Sequence, residues 1–404
     1  MKIYQVNVVC GSGSTGKIVT YLAESVKNEG GECRIAYGRG ECKEKNINCI
    51  KVSTKIETYI HAFMTRITDR HGLYSKMSTK RLIKDIQKYS PDLIHLHNLH
   101  GYYLNYKVLF DFLGNYNRPV VWTMHDCWAF TGHCAHYDSV GCRNWKYGCE
   151  ECINLGAYPK TKYRKQTGNN YKNKDKSFHS VKDLTIVTPS VWLKEQLKES
   201  FLADIKCVVI PNGIDVDKFK GLEIAGNNKR KEKGKVLLGV ASPWTKNKGL
   251  YDFMRLRDML EYEYAIYLVG LTQKQIKELP EGIIGVGKIN DIAALAEYYF
   301  NADVFLNLTY EETLSTTNIE ALACGTPVIT YNTGGCPEVV SNDCGFIVKK
   351  GDLKRIVEIV ENELKDKEYY KEACLKKCVF YRKDLCYEKY MNLYKEVIEK
   401  DSND

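Results

Sequence analysis

The chain alternates short β-branched runs with longer stretches in which apolar side chains recur every three or four positions. That rhythm predicts repeated β–α units and parallel sheets. Strand candidates in the first half are residues 3–9, 33–37, 93–97, 120–124 and 185–188. In the second half they are 207–210, 236–241, 265–269, 283–286, 303–307 and 327–331. The first helix gathers Ile18, Leu22 and Val26 on one face and stops near Gly30. The pattern restarts after "IPNGID" (210–215), so two sheets are expected. This gives a Rossmann-like domain over 1–205, a second over 206–370, and a helical end over 371–404. In that end Tyr390, Leu393, Tyr394 and Val397 share a face suited to packing back on the first domain. One stretch, about 129–181, has little periodicity, much lysine and four close cysteines; such an insertion is usually functional or stapled.

Composition narrows the class. The 404 residues are 44% hydrophobic and 27% charged, which is ordinary for globular domains. A net charge of +9 over this length does not call for nucleic acid, but it suits an anionic lipid surface or phosphorylated ligands. No apolar run approaches the roughly 20 residues of a membrane span, and "MKIYQVNVV" opens a strand rather than a signal peptide. A cytoplasmic setting is therefore expected. There the 16 cysteines point to metal binding or burial more than to disulfides.

Two phosphate-loop patterns overlap in "GSGSTGK" (11–17), between the first strand and the first helix. The P-loop reading needs a hydroxyl after its lysine to hold Mg²⁺, and Ile18 stands there. The NAD reading needs an acid at the end of the second strand, which instead reads "AYGRG". Arg39 keeps an NADP-dependent oxidoreductase open as an alternative. Glycines that simply let strand and helix pack closely are another. Gly13 and Gly16 otherwise offer backbone that a phosphate or sugar approaches closely.

The more specific block is "YEETLSTTNIEALACGTPVITYNTGGCPEVV" (310–340). It sets Glu312 after a strand, Glu320 within the next helix, and Gly334, Gly335, Pro337 and Glu338 in a following turn. Amides at the start of that helix, near Ser315, Thr316 and Thr317, are suited to an anion. With "IPNGID", "NKG" (247–249), "HNLHGYYLN" and "HDCWAFTGHC", this block resembles retaining glycosyltransferases of the GT-B fold, glycosyltransferase family 4. The subgroup it resembles builds bacterial exopolysaccharide and capsule.

The resemblance implies an α/β fold of two Rossmann-like domains facing across a cleft, with the nucleotide sugar on the second. It implies Glu320 on the ribose diol, Lys248 on the diphosphate, Glu312 on the donor sugar and His125 facing that sugar from the first domain. It also implies retention through same-face attack, with the departing phosphate as base and no metal in the chemistry. Nucleotide sugar (UDP- or GDP-linked) and a glycan or lipid-diphosphate-linked acceptor are the implied partners. One departure stands out: Ser242, Pro243 and Trp244 occupy the place of the family's second phosphate-binding cation, an arginine.

Plainer readings stay beside these. His125 and Asp126 also fit a pair capping a strand end, and His97 and His100 fit either an acceptor cleft or a structural loop. Glu320 and Lys248 also fit a solvated helix acid and a surface lysine. A non-catalytic nucleotide-sugar-binding protein of the same fold is a further alternative. Cys134, Cys142, Cys149 and Cys152 suggest a structural zinc, with free thiols or a redox role as alternatives, since only the last pair has Cys-x-x-Cys spacing. The stretch 160–182 carries eight Lys or Arg against Asp175, with Tyr163, Tyr171 and Phe178 interleaved. It fits peripheral docking on a membrane or a solvated loop.

Overall fold

The computed structural model describes residues 1–162, 165–220, 234–261 and 263–401. Tyr163 and Arg164 of the basic stretch 160–182 lie outside the described residues. The chain forms two compact units, Met1–Pro211 together with the segment from Tyr387 on, and Asn212–Cys386.

The first unit holds β1 (Lys2–Asn7), β2 (Glu32–Tyr37), β3 (Cys49–Lys51), β4 (Leu93–Leu96), β5 (Val120–Thr123), β6 (Leu184–Thr188) and β7 (Cys207–Val209). They form one sheet in the order β3-β2-β1-β4-β5-β6-β7. The second unit holds β8 (Val236–Val240), β9 (Ala265–Leu271), β10 (Ile283–Gly287), β11 (Val304–Asn307), β12 (Val328–Tyr331) and β13 (Gly345–Val348), in the order β10-β9-β8-β11-β12-β13. Every pairing is parallel. Strands β4, β5, β11 and β12 are buried throughout, as expected of parallel sheets covered by helices on both faces. Each sheet reverses its winding between its first and fourth strands, β1/β4 and β8/β11. In open parallel sheets ligands bind at the carboxyl ends of the strands at such a reversal.

The structure moves two boundaries. Residues 207–209 do not open the second domain: they pair with Ile186, Val187 and Thr188 of β6. The Ile210 amide also donates to the Thr188 carbonyl at 3.0 Å, so the first unit continues to Pro211. The segment 371–404 is not a single element either. The helix Lys367–Cys378 buries Tyr370, Cys374 and Cys378 in the core of the second unit. The chain then breaks, because the Ile214 amide donates to the Tyr381 carbonyl at 2.9 Å and the Lys383 amide to the Ile214 carbonyl at 2.8 Å. The helix Lys383–Asp401 follows, and its Tyr390, Leu393, Tyr394 and Val397 pack with Ile3, Leu93 and Val121 under the first sheet. The insertion is also more ordered than its pattern suggests. It contains a twelve-residue helix, Thr167–Phe178, that buries Phe178 and Lys174.

Candidate active site

In the second unit the site grows from the ends of β8 and β11. After β8 the chain turns through Trp244, whose indole is buried and donates to the Val269 carbonyl at 2.8 Å. Trp244 is thus a core residue, and Ser242 and Pro243 are exposed without charge. A one-turn helix, Lys246–Lys248, ends at Gly249 with φ +78°. A Cβ on Gly249 would sit 2.3 Å from the Leu308 carbonyl oxygen, so glycine is what lets this turn press against the end of β11. The contact sets Lys248 beside Glu312, Nζ to Oε2 at 2.8 Å. Lys248 stays 37% exposed and Glu312 23%. Burial opposes the lysine's charge, but the Glu312 carboxylate outweighs it and holds the ammonium above its ordinary pKa. The loop carrying Glu312 is packed from behind. A Cβ on Gly334 (φ +53°) would collide with the Glu312 carbonyl oxygen, which gives the first glycine of "GGCPE" its steric reason.

The helix Thr316–Ala323 follows. Ser315 caps it, accepting from the Asn318 amide at 3.2 Å, and lies 2.9 Å from the Thr317 hydroxyl. Buried Asn307, at the end of β11, donates to Ser315 Oγ at 2.9 Å and to Asn318 Oδ1 at 2.7 Å. Four residues on from Thr316, Glu320 accepts from the Tyr299 hydroxyl at 2.9 Å and stays half-buried. A cation, a carboxylate and a helix N-terminus therefore meet where β8 and β11 part.

In the first unit the equivalent place is filled by histidine. Gln5 of β1 donates from its amide nitrogen to the Val19 carbonyl at 2.9 Å, which leaves its oxygen for His97 Nε2 at 3.1 Å. His97 must then donate from Nε2 and accept at Nδ1, where His125 Nε2 lies at 3.2 Å. The network so assigns both tautomers, with the His125 proton on Nε2. Burial pushes His125 down to about 4 and His97 well below the ordinary histidine value, so both rings are neutral near pH 7. His97 is buried with both nitrogens engaged, one on Gln5 and the other on His125, and with His100 and His125 it lines a small cavity. His100 pairs with Asp126 at 2.7 Å and lies 3.2 Å from the Tyr158 hydroxyl. Burial pushes the Asp126 carboxyl up, but His100 and the Trp128 amide prevail and hold it far below the usual carboxylate range. Gly16 packs against Val9 and the Gly11 amide. Gly13 (φ +65°) opens the first helix, Gly13–Asn28, with open space above it.

Residues 15–218 match the family described as Glycosyltransferase Family 4, and residues 223–374 match Glycosyl transferases group 1. The chain belongs to glycosyltransferase family 4. This glycosyltransferase is 24% identical over 379 residues to WcaC of Escherichia coli (strain K12), itself provisionally assigned as a colanic acid biosynthesis glycosyl transferase; the match covers 90% of this chain and 91% of WcaC. Over 208 residues it is 24% identical to an N,N'-diacetylbacillosaminyl-diphospho-undecaprenol alpha-1,3-N-acetylgalactosaminyltransferase of Campylobacter jejuni, covering 48% of this chain and 55% of that protein. Its fold resembles a sucrose-phosphate synthase from Thermosynechococcus elongatus, with TM-score 0.74, 16% identity and 99% of both chains covered. It also resembles Anabaena HepE in complex with UDP-glucose, with TM-score 0.66, 13% identity, and 98% and 100% covered. The architecture is GT-B.

Several residues of the glycosyltransferase carry the site without having been singled out from sequence. Gln5 and Asn307 are polar residues inside central strands, and that anomaly was a readable signal. Asp252 accepts from the Tyr310 and Tyr331 hydroxyls at 2.7 and 2.8 Å, tying the start of the glutamate loop to the neighbouring helix. Lys174 is buried with its ammonium 3.7 Å from the Trp128 ring centroid and donates to the Thr131 carbonyl at 2.9 Å, steadying the segment after Asp126. Of the insertion cysteines, Cys149 accepts from the Gly132 amide at 3.2 Å and Cys152 from the Asn154 amide at 3.4 Å. Among the described residues, however, the group of three or more ligating side chains whose ligand atoms converge within 4.8 Å is Cys10, Cys42 and Cys49.

Proposed function

We propose that this glycosyltransferase is a retaining enzyme that moves a sugar from a UDP- or GDP-linked donor to a glycan or lipid-diphosphate-linked glycan in surface polysaccharide synthesis. The observation that carries this is the Lys248–Glu312 pair beside the Ser315-capped helix, at the winding reversal of the second sheet. In the proposal Lys248 and the amides at Thr316 and Thr317 stabilise the departing diphosphate, the role of an oxyanion hole. Glu320 accepts the ribose hydroxyls, and Glu312 orients the donor sugar. Gly13 and Gly16 allow close approach from the first unit. Neutral His125, its proton held by His97, offers a polar contact to the sugar without adding charge. The departing phosphate serves as base for same-face attack, and the chemistry uses no metal. A structural zinc on Cys134, Cys142, Cys149 and Cys152 belongs to the same proposal, resting on the close spacing of the four cysteines in the insertion. The NADP-dependent oxidoreductase alternative is not favoured, since residues 15–218 and 223–374 both match glycosyltransferase families.

The acceptor side implies work at the cytoplasmic face of a membrane, and the docking surface differs from the one the charge run suggested. In that run Phe178 and Lys174 are buried and Tyr171 packs on Phe201, ring centroids 4.8 Å apart. The helix Lys55–Thr68 is the better candidate because its polarity is inverted. It buries His61 and Thr65 while Ile56, Tyr59, Ile60 and Phe63, one face at helical spacing, stay exposed. Exposed Lys55 and Arg66 lie on the same helix, and exposed Arg70, Lys76 and Lys80 follow it in the chain, so the partner that complements it is an anionic lipid surface, at about 1 kcal/mol per cation near it. Among the described residues no helix is long and apolar enough to cross a membrane.

Thermal-shift titration with UDP-, GDP- and ADP-sugars and with NADPH tests the donor. A UDP- or GDP-sugar at 100 times its dissociation constant should add about 2.7 kcal/mol of stability, and Glu320→Ala should abolish that shift. Stabilisation by NADPH alone would end the proposal. Co-sedimentation with phosphatidylglycerol vesicles should fall at least tenfold in Ile60→Ser/Phe63→Ser and weaken with salt; binding indifferent to both would remove the docking surface.

A further inference from the structure

Three cysteines from separate segments meet beside the glycine loop. Cys10 follows β1 and immediately precedes Gly11, Cys42 lies in the loop between β2 and β3, and Cys49 opens β3. Their sulfurs all lie within 4.8 Å of one another, and those of Cys10 and Cys42 are 2.8 Å apart. A zinc ion holds thiolates at about 2.3 Å, which sets sulfurs of a tetrahedral site about 3.8 Å apart. With one pair at 2.8 Å and all three within 4.8 Å, the sulfurs bracket that spacing and need only small movements to share one ion. A disulfide between two of them would leave the third convergent sulfur unaccounted for. Cys10 is buried, while Cys42 and Cys49 are half-exposed, so the group has a closed back and an open front. On the open side Glu44 lies against the loop: a Cβ on Gly11 would sit 3.0 Å from its Cγ and 3.8 Å from Cys42 Sγ.

We propose that Cys10, Cys42 and Cys49 form a binding site for one thiophilic divalent cation, with a fourth coordination position on the exposed side beside Glu44. Binding replaces three S–H bonds by three metal–sulfur bonds and releases three protons, with no change in oxidation state. Three thiolates select zinc or cadmium over magnesium or calcium, which prefer oxygen. The ion would tie the irregular segment between β2 and β3 to the first residue of the loop that Gly11 and Gly16 close through an N–H to O=C bond at 3.0 Å. The site lies within the first unit, and its occupancy does not depend on the transfer reaction.

The test is cadmium titration of the full chain, reduced with a phosphine and freed of metal, followed by the thiolate-to-cadmium charge-transfer absorbance. Cys42→Ser/Cys49→Ser should bind one cadmium equivalent fewer than the unaltered protein. In the unaltered protein cadmium should protect Cys42 and Cys49 from alkylation, read peptide by peptide by mass spectrometry, which keeps the test valid if the variant misfolds. An unchanged equivalent count in a folded variant overturns the proposal. So does alkylation of Cys42 and Cys49 that cadmium leaves unaffected, or a Cys10–Cys42 disulfide in protein whose reduced form binds no cadmium.

Discussion

The two units place different chemistry at the same topological point. At the β8/β11 reversal stands an ion pair, Lys248–Glu312, partly exposed and backed by a helix N-terminus. At the β1/β4 reversal stands a row of neutral groups: buried Gln5 and His97, with half-buried His125 beside them at the end of β5. All nine histidines of the chain fall in the first unit and none in the second. In the proposed reaction the diphosphate would meet half-hydrated charge, which can exchange partners at modest cost, and the sugar hydroxyls would meet polar groups whose protons are already assigned. One topology accommodates both because the sheet fixes only where the loop ends meet, and side chains decide the polarity there.

The largest break in this comparison should come from acid. Burial lowers His61 to about 3 and His125 to about 4, and holds His71, His95 and His97 well below the ordinary value. For such groups the unfolded chain binds more protons, so stability is full above about 6.5 and is lost as pH falls toward the folded values. His125 alone is worth up to about 3 kcal/mol at the acid end. Calorimetry between pH 7 and 4 should resolve two transitions, with the first unit melting earlier as pH drops. A second unit that melts first, or a first unit whose melting ignores pH, would contradict the histidine assignment.

Next in size is Lys248→Ala, which should cost about 10²–10³ in kcat, the scale of a lost oxyanion-type donor, with Lys248→Arg recovering part of it. Initial rates against donor concentration measure this, and a variant within threefold of the parent would take Lys248 out of the mechanism. Smaller still, His97→Leu should lower kcat about tenfold with donor KM nearly unchanged, because His125 loses the acceptor for its Nε2 proton, a buried donor costing about 1–3 kcal/mol when unmet. His97→Gln, which can bridge Gln5 and His125, should restore most of the rate. Equal defects in both variants would mean that His97 serves packing alone.

Much of this was legible along the chain. Buried strands such as β4 and β11 are short apolar runs interrupted only by His95 and Asn307, and the face of Tyr390, Leu393, Tyr394 and Val397 follows helical spacing. Strand β3 escapes notice because it is three residues at a sheet edge, and β13 because Gly345 begins a run of only four. The helix Thr167–Phe178 escapes because lysine and asparagine fill it, and its one buried cation is held by carbonyls and the Trp128 ring that only folding supplies. Glu312, Glu320 and Lys248 could be named from motif spacing. The role of His97 could not, because burial between Gln5 and His125 is a property of neighbouring strands.

By itself the sequence determined the two parallel sheets, the glutamate block with its glycine turn, and the family, because each rests on residues close together in the chain. Tertiary structure alone decided the neutral state of His125, the outward apolar stripe of Lys55–Thr68 and the meeting of Cys10, Cys42 and Cys49. Proton affinity depends on desolvation by distant segments, exposure on what covers a helix, and metal-ligand geometry on three loops arriving at one point. Local spacing carries none of that information.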